Sequence, residues 1–353
     1  MTKIFLIRHA EAEGNIYRRA HGQFNGLIIG RGFAQIEQLR ERFTHEKIDA
    51  VYSSDLTRTQ TTAMAICEPR GLRVNTTPLL REVNIGEWED TSWGDLKHRF
   101  PEMCDLFGKD PALWSAPGGE TYRNVRERMR NCISGIGRRH DGEAVAVFSH
   151  GFAIRAFLCE IKGIPSHNVE LVPYCDNTAV TLLRFENDDF RIEYQGDNSH
   201  LCGENSTFAK QTWWREENER KSEDLHYIPF DDKRDSELFE LCEREGLPAC
   251  DADLKLTAFL EEAPAGLIWL DTGSESGAGR ISRIYIKPDF RRMYLGIQLL
   301  GQAVSECRKL RRETLRMETA ADSPAMAFGV NYGFVKAGGS GGLCLMEKDI
   351  RNW

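Results

Sequence analysis

The stretch MTKIFLIRHAEAEGN, residues 1–15, opens on a short apolar run broken by Arg8 and His9. Residues 3–8 (KIFLIR) have the length and apolar content of a buried strand. The chain then alternates. Helical spacing runs through Phe33, Ile36, Leu39 and Phe43 over 31–43. AVYSS at 50–54 is strand-like, and a helix follows from Arg58 to Cys67. Val125, Met129 and Ile133 recur at four-residue spacing in a helix over 120–138. AVAVFS at 144–149 is a strand followed by a helix over 152–161, and TAVTLLRF at 178–185 and FRIEYQ at 190–195 close the set. Such alternation predicts an α/β fold with a mostly parallel sheet covered by helices.

With 353 residues the chain is long for one hydrophobic core and suits two domains. Residues 203–224 are polar and highly charged around a Trp213–Trp214 pair. They read as a partly packed linker whose tryptophans dock onto one domain. A second unit follows, with a helix over 233–245, strands at 266–271 and 281–288, a helix from about 295 to 311 and a strand at 315–320. The expected domains are 1–202 and 226–353, joined by 203–225.

The formal net charge is −8, which offers no basic face for nucleic acid and argues against a membrane surface. The first apolar run is too short for a signal peptide, and no apolar stretch approaches a membrane span. Ten cysteines are scattered singly, with no C-x-x-C and no zinc spacing. Reduced thiols in the cytoplasm are the simplest expectation.

A phosphoryl-transfer site without metal needs a nucleophile, cations for the phosphoryl oxygens, and an acid for the leaving oxygen. Ligands of open α/β sheets collect beyond the carboxyl ends of strands. One strand ends in Arg8-His9 and another in Ser149-His150-Gly151, so two histidines could meet at one crevice. Arg58 within SSDLTRTQTTA and Glu82 within LLREVNIGEWE follow two further strand ends.

LIRHAEAEGN, SSDLTRTQTTA, LREVNIGEWED, PGGETYRNVRERM and FSHGFAIRAFL, in that order, resemble the histidine phosphatase superfamily over about residues 1–202. The resemblance implies a three-layer α/β/α domain with His9 as nucleophile, passing through a phosphohistidine. It makes Arg8, Arg58 and His150 the phosphate clamp. Glu82 becomes the general acid and then the base for water. Asn15 matches a secondary phosphate contact, Glu89 a supporting acid, and Gln23 a position at the substrate mouth. His9 must be neutral at its attacking nitrogen, so its other nitrogen needs an acceptor. His150 is expected to be charged when an anion is bound. Two departures stand out. Ala10 replaces the usual Gly, which matters only if φ is positive there, and Gly30 weakens a helix cap.

Mutases of this superfamily carry a longer insertion after the acid-bearing segment. Here only about thirty residues separate Glu89 from PGGET. The shorter cap favours hydrolysis, with no metal cofactor, of a small phosphorylated metabolite such as a sugar phosphate, a nucleotide or a ribazole-type precursor. Phosphoglycerate mutase-type transfer is one alternative, and a non-catalytic binder of phosphorylated metabolites is another.

RISRIYIKPDFRRMYLGIQLLGQAV and LRMETAADSPAMAFGVNYGFVKAG resemble GNAT-type N-acetyltransferases over about 226–349. A GNAT-like α/β domain with a mixed sheet is implied. Its acetyl-CoA loop falls at Ile286, Arg291, Arg292 and Gly296. Tyr294 stands where the loop's first glycine belongs, and Gly329 where a tyrosine often protonates the thiolate. Tyr332 lies three positions on and is expected to point away. The unit is then either a working acetyltransferase with another acid or a degenerate domain for sensing, docking or dimerisation. A bifunctional enzyme acting twice on one metabolite, and a homodimer, both stay open.

Overall fold

The computed structural model describes residues 1–215, 223–245, 250–275 and 277–352. In chain order the first elements are β1 (Thr2–Arg8), α1 (Glu13–Tyr17), β2 (Arg19–Ala20), α2 (Arg31–Arg42), β3 (Ala50–Ser53), α3 (Thr57–Arg70), β4 (Val74–Thr76) and β5 (Thr91–Ser92). Next come α4 (Trp93–Arg99), α5 (Pro101–Lys109), α6 (Tyr122–Arg139), β6 (Ala144–Ser149), α7 (Gly151–Lys162), β7 (Val180–Glu186) and β8 (Asp189–Asp197). The remainder are β9 (Leu225–Pro229), α8 (Ser236–Arg244), β10 (Leu254–Leu260), β11 (Ala263–Glu275), β12 (Ala278–Ile286), α9 (Leu295–Lys309), β13 (Thr314–Ala320), α10 (Pro324–Asn331), β14 (Val335–Ser340) and β15 (Leu343–Asp349).

The chain forms two compact units. The first comprises Met1–Ala12, Ala20–Glu89 and the described chain from Phe100 through Arg215. Its sheet has the order β4-β3-β6-β1-β7-β8. The four strands β4, β3, β6 and β1 are parallel, and β7 and β8 are antiparallel additions. Strands covered on both faces carry near-continuous apolar runs, as β1 and β6 do. Phe5, Ile7, Leu39, Phe43, Val51, Ile66 and Phe148 pack in one core beneath α2 and α3. The register matters most. Lys3 pairs with Ala144 and Arg8 with Ser149, so β1 and β6 end level, and His9 and His150 emerge side by side.

The second unit comprises Glu13–Arg19, Asp90–Arg99 and the described chain from Glu223 onward. Its mixed sheet has the order β14-β15-β13-β12-β11-β10-β9. The parallel pair β12–β13 spans Ala278–Ile281 against Thr314–Met317, and β12 then continues to Ile286. The core gathers Ile268, Ile281, Leu299, Leu300, Leu315, Phe334 and Met346, and it includes Tyr17 from α1. A Cβ on Gly301 would lie 2.5 Å from the Cβ of Tyr17, so α1 and α9 cross where only glycine fits. Arg308 donates to both carboxylate oxygens of Glu13 at 2.9 and 3.0 Å. Asp224 takes Arg18 at 2.7 Å and Lys97 at 2.5 Å, and these cations hold its carboxyl down at about 2 although burial alone would raise it.

Several elements end short of their expected bounds for local reasons. β7 starts at Val180 because Thr178 takes a φ of 58°. α9 stops at Lys309, two residues before Arg311 at φ 55°. α8 begins at Ser236, behind a turn in which Asp231 Oδ1 accepts from the amides of Lys233 and Arg234. The Trp213–Trp214 pair packs in the first unit. Trp213 meets Tyr174 at 5.1 Å and Trp214 stacks on Phe208 at 4.8 Å.

Candidate active site

His9 and His150 follow the level ends of β1 and β6, and their ring centroids lie 5.2 Å apart. His9 is 5 % exposed. Its Nδ1 sits 2.7 Å from the carbonyl oxygen of Ala10. A carbonyl only accepts, so Nδ1 carries the proton and Nε2 keeps its lone pair. Burial, then the charges of Arg58 and Arg8, hold the imidazolium form of His9 well below the ordinary range. The backbone around it is pinned. Asn177 Nδ2 donates to His9 O at 2.9 Å, and Ala10 N donates to Thr62 Oγ1 at 2.9 Å. Ala10 is not among the residues with positive φ, so the methyl group costs nothing there. Gly30, by contrast, precedes α2 at φ 44° and gives no side-chain cap.

His150 is fully buried, and its Nε2 lies 2.9 Å from Ser54 Oγ. Burial, then the neighbouring Arg58 and His9, depress its pKa well below the usual value. Its Nδ1 is buried without a hydrogen-bond partner among the described residues, and the same is true of Arg8 Nε. Two buried polar atoms of one site thus carry no hydrogen bond among the described residues, where buried polar groups are ordinarily paired. Arg8 anchors its other arm by donating from Nη1 to Cys175 O at 2.5 Å. Burial lowers the pKa of Arg8, and that of Arg58 to about 10.

Arg58 donates to Gly22 O at 2.7 Å and to Phe24 O at 2.8 Å. That loop is held in turn by Glu89, which accepts from the amides of Gln23 at 2.8 Å and Phe24 at 2.6 Å. Burial raises the pKa of Glu89. Gly22 has a φ of 39°, and a Cβ there would lie 2.3 Å from Glu89 Oε1, so glycine is required. Glu82 caps α7. Its carboxylate accepts from Phe152 N at 3.0 Å and Ala153 N at 2.8 Å, at the helix end that favours negative charge. Gln23 Nε2 reaches Glu82 O at 3.2 Å.

Arg8, His9 and His150 converge, and Arg58 acts on both histidines. Glu82 reaches the same strand-end region through the start of α7, immediately after His150. Asn15 differs. It lies on α1, within the second unit. His200 bonds Arg42 at 3.1 Å and Thr178 at 3.0 Å, and burial holds its pKa at about 4, as suits a structural residue. Ser54, Thr62 and Asn177 were not anticipated as site residues, although Ser54 and Thr62 lie within the quoted SSDLTRTQTTA motif. An aromatic group was also missed. Phe152 stacks on Phe107 at 4.8 Å, and Phe107 meets Trp114 at 5.0 Å. Among the described residues, no group of three or more His, Cys, Asp or Glu side chains could hold a metal ion.

In the second unit, a cavity of about 420 Å³ opens at the N-terminus of α9. Ile286, Arg291, Arg292 and Gly296 all line it, beside Phe328 and Tyr332. Arg292 and Tyr294 take left-handed φ values of 65° and 59°. The tyrosine therefore keeps a backbone conformation that suits glycine, at a cost of about 1 kcal/mol. Its side chain is 57 % exposed. Arg291 donates to Ile286 O and pairs with Glu245. A Cβ on Gly329 would touch Met317 and Phe334 in the core. Tyr332, against expectation, lines the cavity, because it shares a face with Phe328 four residues before it.

Residues 4–198 match the model of the histidine phosphatase superfamily (branch 1), and residues 210–334 match the acetyltransferase (GNAT) family. Phosphoserine phosphatase 1 of Hydrogenobacter thermophilus is 30% identical over 190 residues, 53% of this chain and 88% of that protein. Phosphoglycerate mutase-like protein 4 of Arabidopsis thaliana is 32% identical over 204 residues, 57% of this chain and 87% of that protein. The structure of Bacillus stearothermophilus YhfR aligns with a TM-score of 0.55 at 27% identity, covering 57% of this chain and 99% of that one. No helix among the described residues is long and apolar enough to cross a membrane. A strand-end histidine pair, its arginines and a helix-capping glutamate, in a sheet of this order and within this match, are the marks of one family: the chain belongs to the histidine phosphatase superfamily, with a GNAT-family domain following.

Proposed function

We propose that the first unit is a metal-independent phosphomonoester hydrolase working through a phosphohistidine on His9. The observation that carries this is the state of His9: buried, neutral, with Nδ1 committed to Ala10 O and Nε2 left as the nucleophile. In the reaction, Nε2 attacks phosphorus and the bond to the leaving oxygen breaks. Glu82 gives that oxygen a proton. Water then attacks the phosphohistidine, Glu82 takes the water's proton, and phosphate leaves with His9 restored. Arg8, Arg58 and His150 neutralise the phosphoryl oxygens. Each such donor contributes about 3 kcal/mol to the transition state. An anion beside His150 opposes the effect of burial and favours its charged form.

The substrate is a small phosphorylated metabolite. Phosphoserine is the first to test, since a relative of 30% identity is named a phosphoserine phosphatase. Hydrolysis of p-nitrophenyl phosphate by the wild type and by His9→Ala tests the nucleophile. The variant should lose at least about a thousandfold. Unchanged activity would refute the assignment.

For the second unit we read an acetyl-CoA site with weak or absent turnover. The cavity at the start of α9, its two arginines and the left-handed loop fit a pyrophosphate. Arg291, Arg292 and the amides around Gly296 would hold it. The chemistry such a ligand supplies is an activated acetyl thioester. Gly329 has no side chain and so offers no acid, and a Cβ there would point at Met317 and Phe334 and not into the cavity that Tyr332 lines. Cysteines kept as thiols suit a cytoplasmic protein.

A further inference from the structure

Arg8 is 6 % exposed, and its Nη1 donates to the carbonyl oxygen of Cys175 and not to a carboxylate. The carboxylate that acts on it most strongly is that of Asp176, next in the chain to Cys175 and itself 2 % exposed. A buried carboxylate beside a buried guanidinium is a competitor for phosphate. It either captures the arginine or is satisfied by other donors.

Here other donors satisfy it. Asp176 Oδ2 accepts from Ser206 Oγ at 2.6 Å and Asn198 Nδ2 at 3.2 Å. Oδ1 accepts from Asn177 N at 2.8 Å and Phe208 N at 3.3 Å. Between these, Thr207 Oγ1 donates to Glu11 at 3.0 Å and Gln35 Nε2 donates to Thr207 Oγ1 at 3.1 Å. The ring of Phe208 then lies 6.0 Å from the Arg8 guanidinium, backed by Trp214 stacked behind it. Three consecutive residues thus reach Asp176, Glu11 and the Arg8 guanidinium. The superfamily match ends at 198, so they lie outside it.

We propose that Ser206–Phe208 is a strap that aims Arg8 at phosphate, Ser206 by occupying Asp176 and Phe208 by backing the guanidinium. Both are positioning residues. The inference rests on the phosphatase reading above and adds to it residues that the sequence presents as a linker. Without the strap, Asp176 loses two of its donors and draws Arg8 towards itself.

The experiment uses the full chain. Calorimetry with inorganic phosphate, and orthovanadate inhibition of p-nitrophenyl phosphate hydrolysis, are compared for wild type, Ser206→Ala, Ser206→Thr and Phe208→Leu. Urea midpoints show which variants are folded. Ser206→Ala and Phe208→Leu should bind phosphate about tenfold or more weakly at unchanged fold. Ser206→Thr should keep wild-type affinity. A wild type that binds phosphate while the folded variants bind equally well overturns the strap alone. Equal losses in Ser206→Ala and Ser206→Thr overturn it too, because they would signal packing and not the hydroxyl. A wild type that binds no phosphate defeats the phosphatase reading itself, and the strap with it.

Discussion

His9 has one nitrogen bonded to Ala10 O and the other unencumbered, and its charged form is suppressed by burial and two arginines. The sign of that shift gives a pH prediction. An unperturbed histidine protonates near 6.5. A histidine whose value is depressed stays neutral through that point and is lost as nucleophile only at lower pH. After correction for the substrate's own ionisation, kcat/KM for p-nitrophenyl phosphate should therefore not fall as pH drops from 7 to 6. An acid limb centred at 6.5 would contradict it. Arg58 permits a second test. It binds two carbonyls, Gly22 O and Phe24 O, with a planar fork. Lysine presents a point charge and cannot hold both. Arg58→Lys should raise KM about tenfold or more, corresponding to one lost charge-assisted bond. Arg8, His9, Arg58, Glu82 and His150 could be picked out as candidates because each lies in a motif that follows a strand end. Asn177 and Phe208 could not, since an asparagine or a phenylalanine distant in sequence comes beside His9 or Arg8 only through the fold.

The elements that build the site were legible for a related reason. β1 and β6 are covered on both faces, so their apolar runs are unbroken. Edge elements carry no such signal. β14 (VKAGGS) is exposed at every residue and rich in glycine, and β4 is three residues long. They exist by pairing with a neighbour that the sequence does not mark. α1 is another such case, a five-residue helix stable only by packing. Its Tyr17 lies against Gly301 of α9. Gly301→Leu should drive a side chain into that ring and destabilise the second unit by about 1–3 kcal/mol. Thermal unfolding would register this, and an unchanged midpoint would show that the crossing carries no stability.

At the scale of the whole molecule, neither unit is a single run of chain. Glu13–Arg19 follows the nucleophile segment and Asp90–Arg99 follows Glu89, yet both belong to the unit built around α9. Sequence reasoning divides a chain at composition changes, and no composition change marks these insertions. The natural object for ligand tests is therefore the full chain. Calorimetry with acetyl-CoA should show binding that Arg291→Ala or Arg292→Ala weakens, without appreciable acetyl transfer to amines. Rapid transfer would contradict the reading built on Gly329. The role of His9 is put to the test by rapid-quench trapping of the phosphoenzyme from a labelled phosphomonoester, followed by peptide mapping. An acid-labile, base-stable phosphoryl group should be found on His9 and be absent from His9→Ala. Turnover by the wild type with label on another residue, or with full activity retained in His9→Ala, would contradict it.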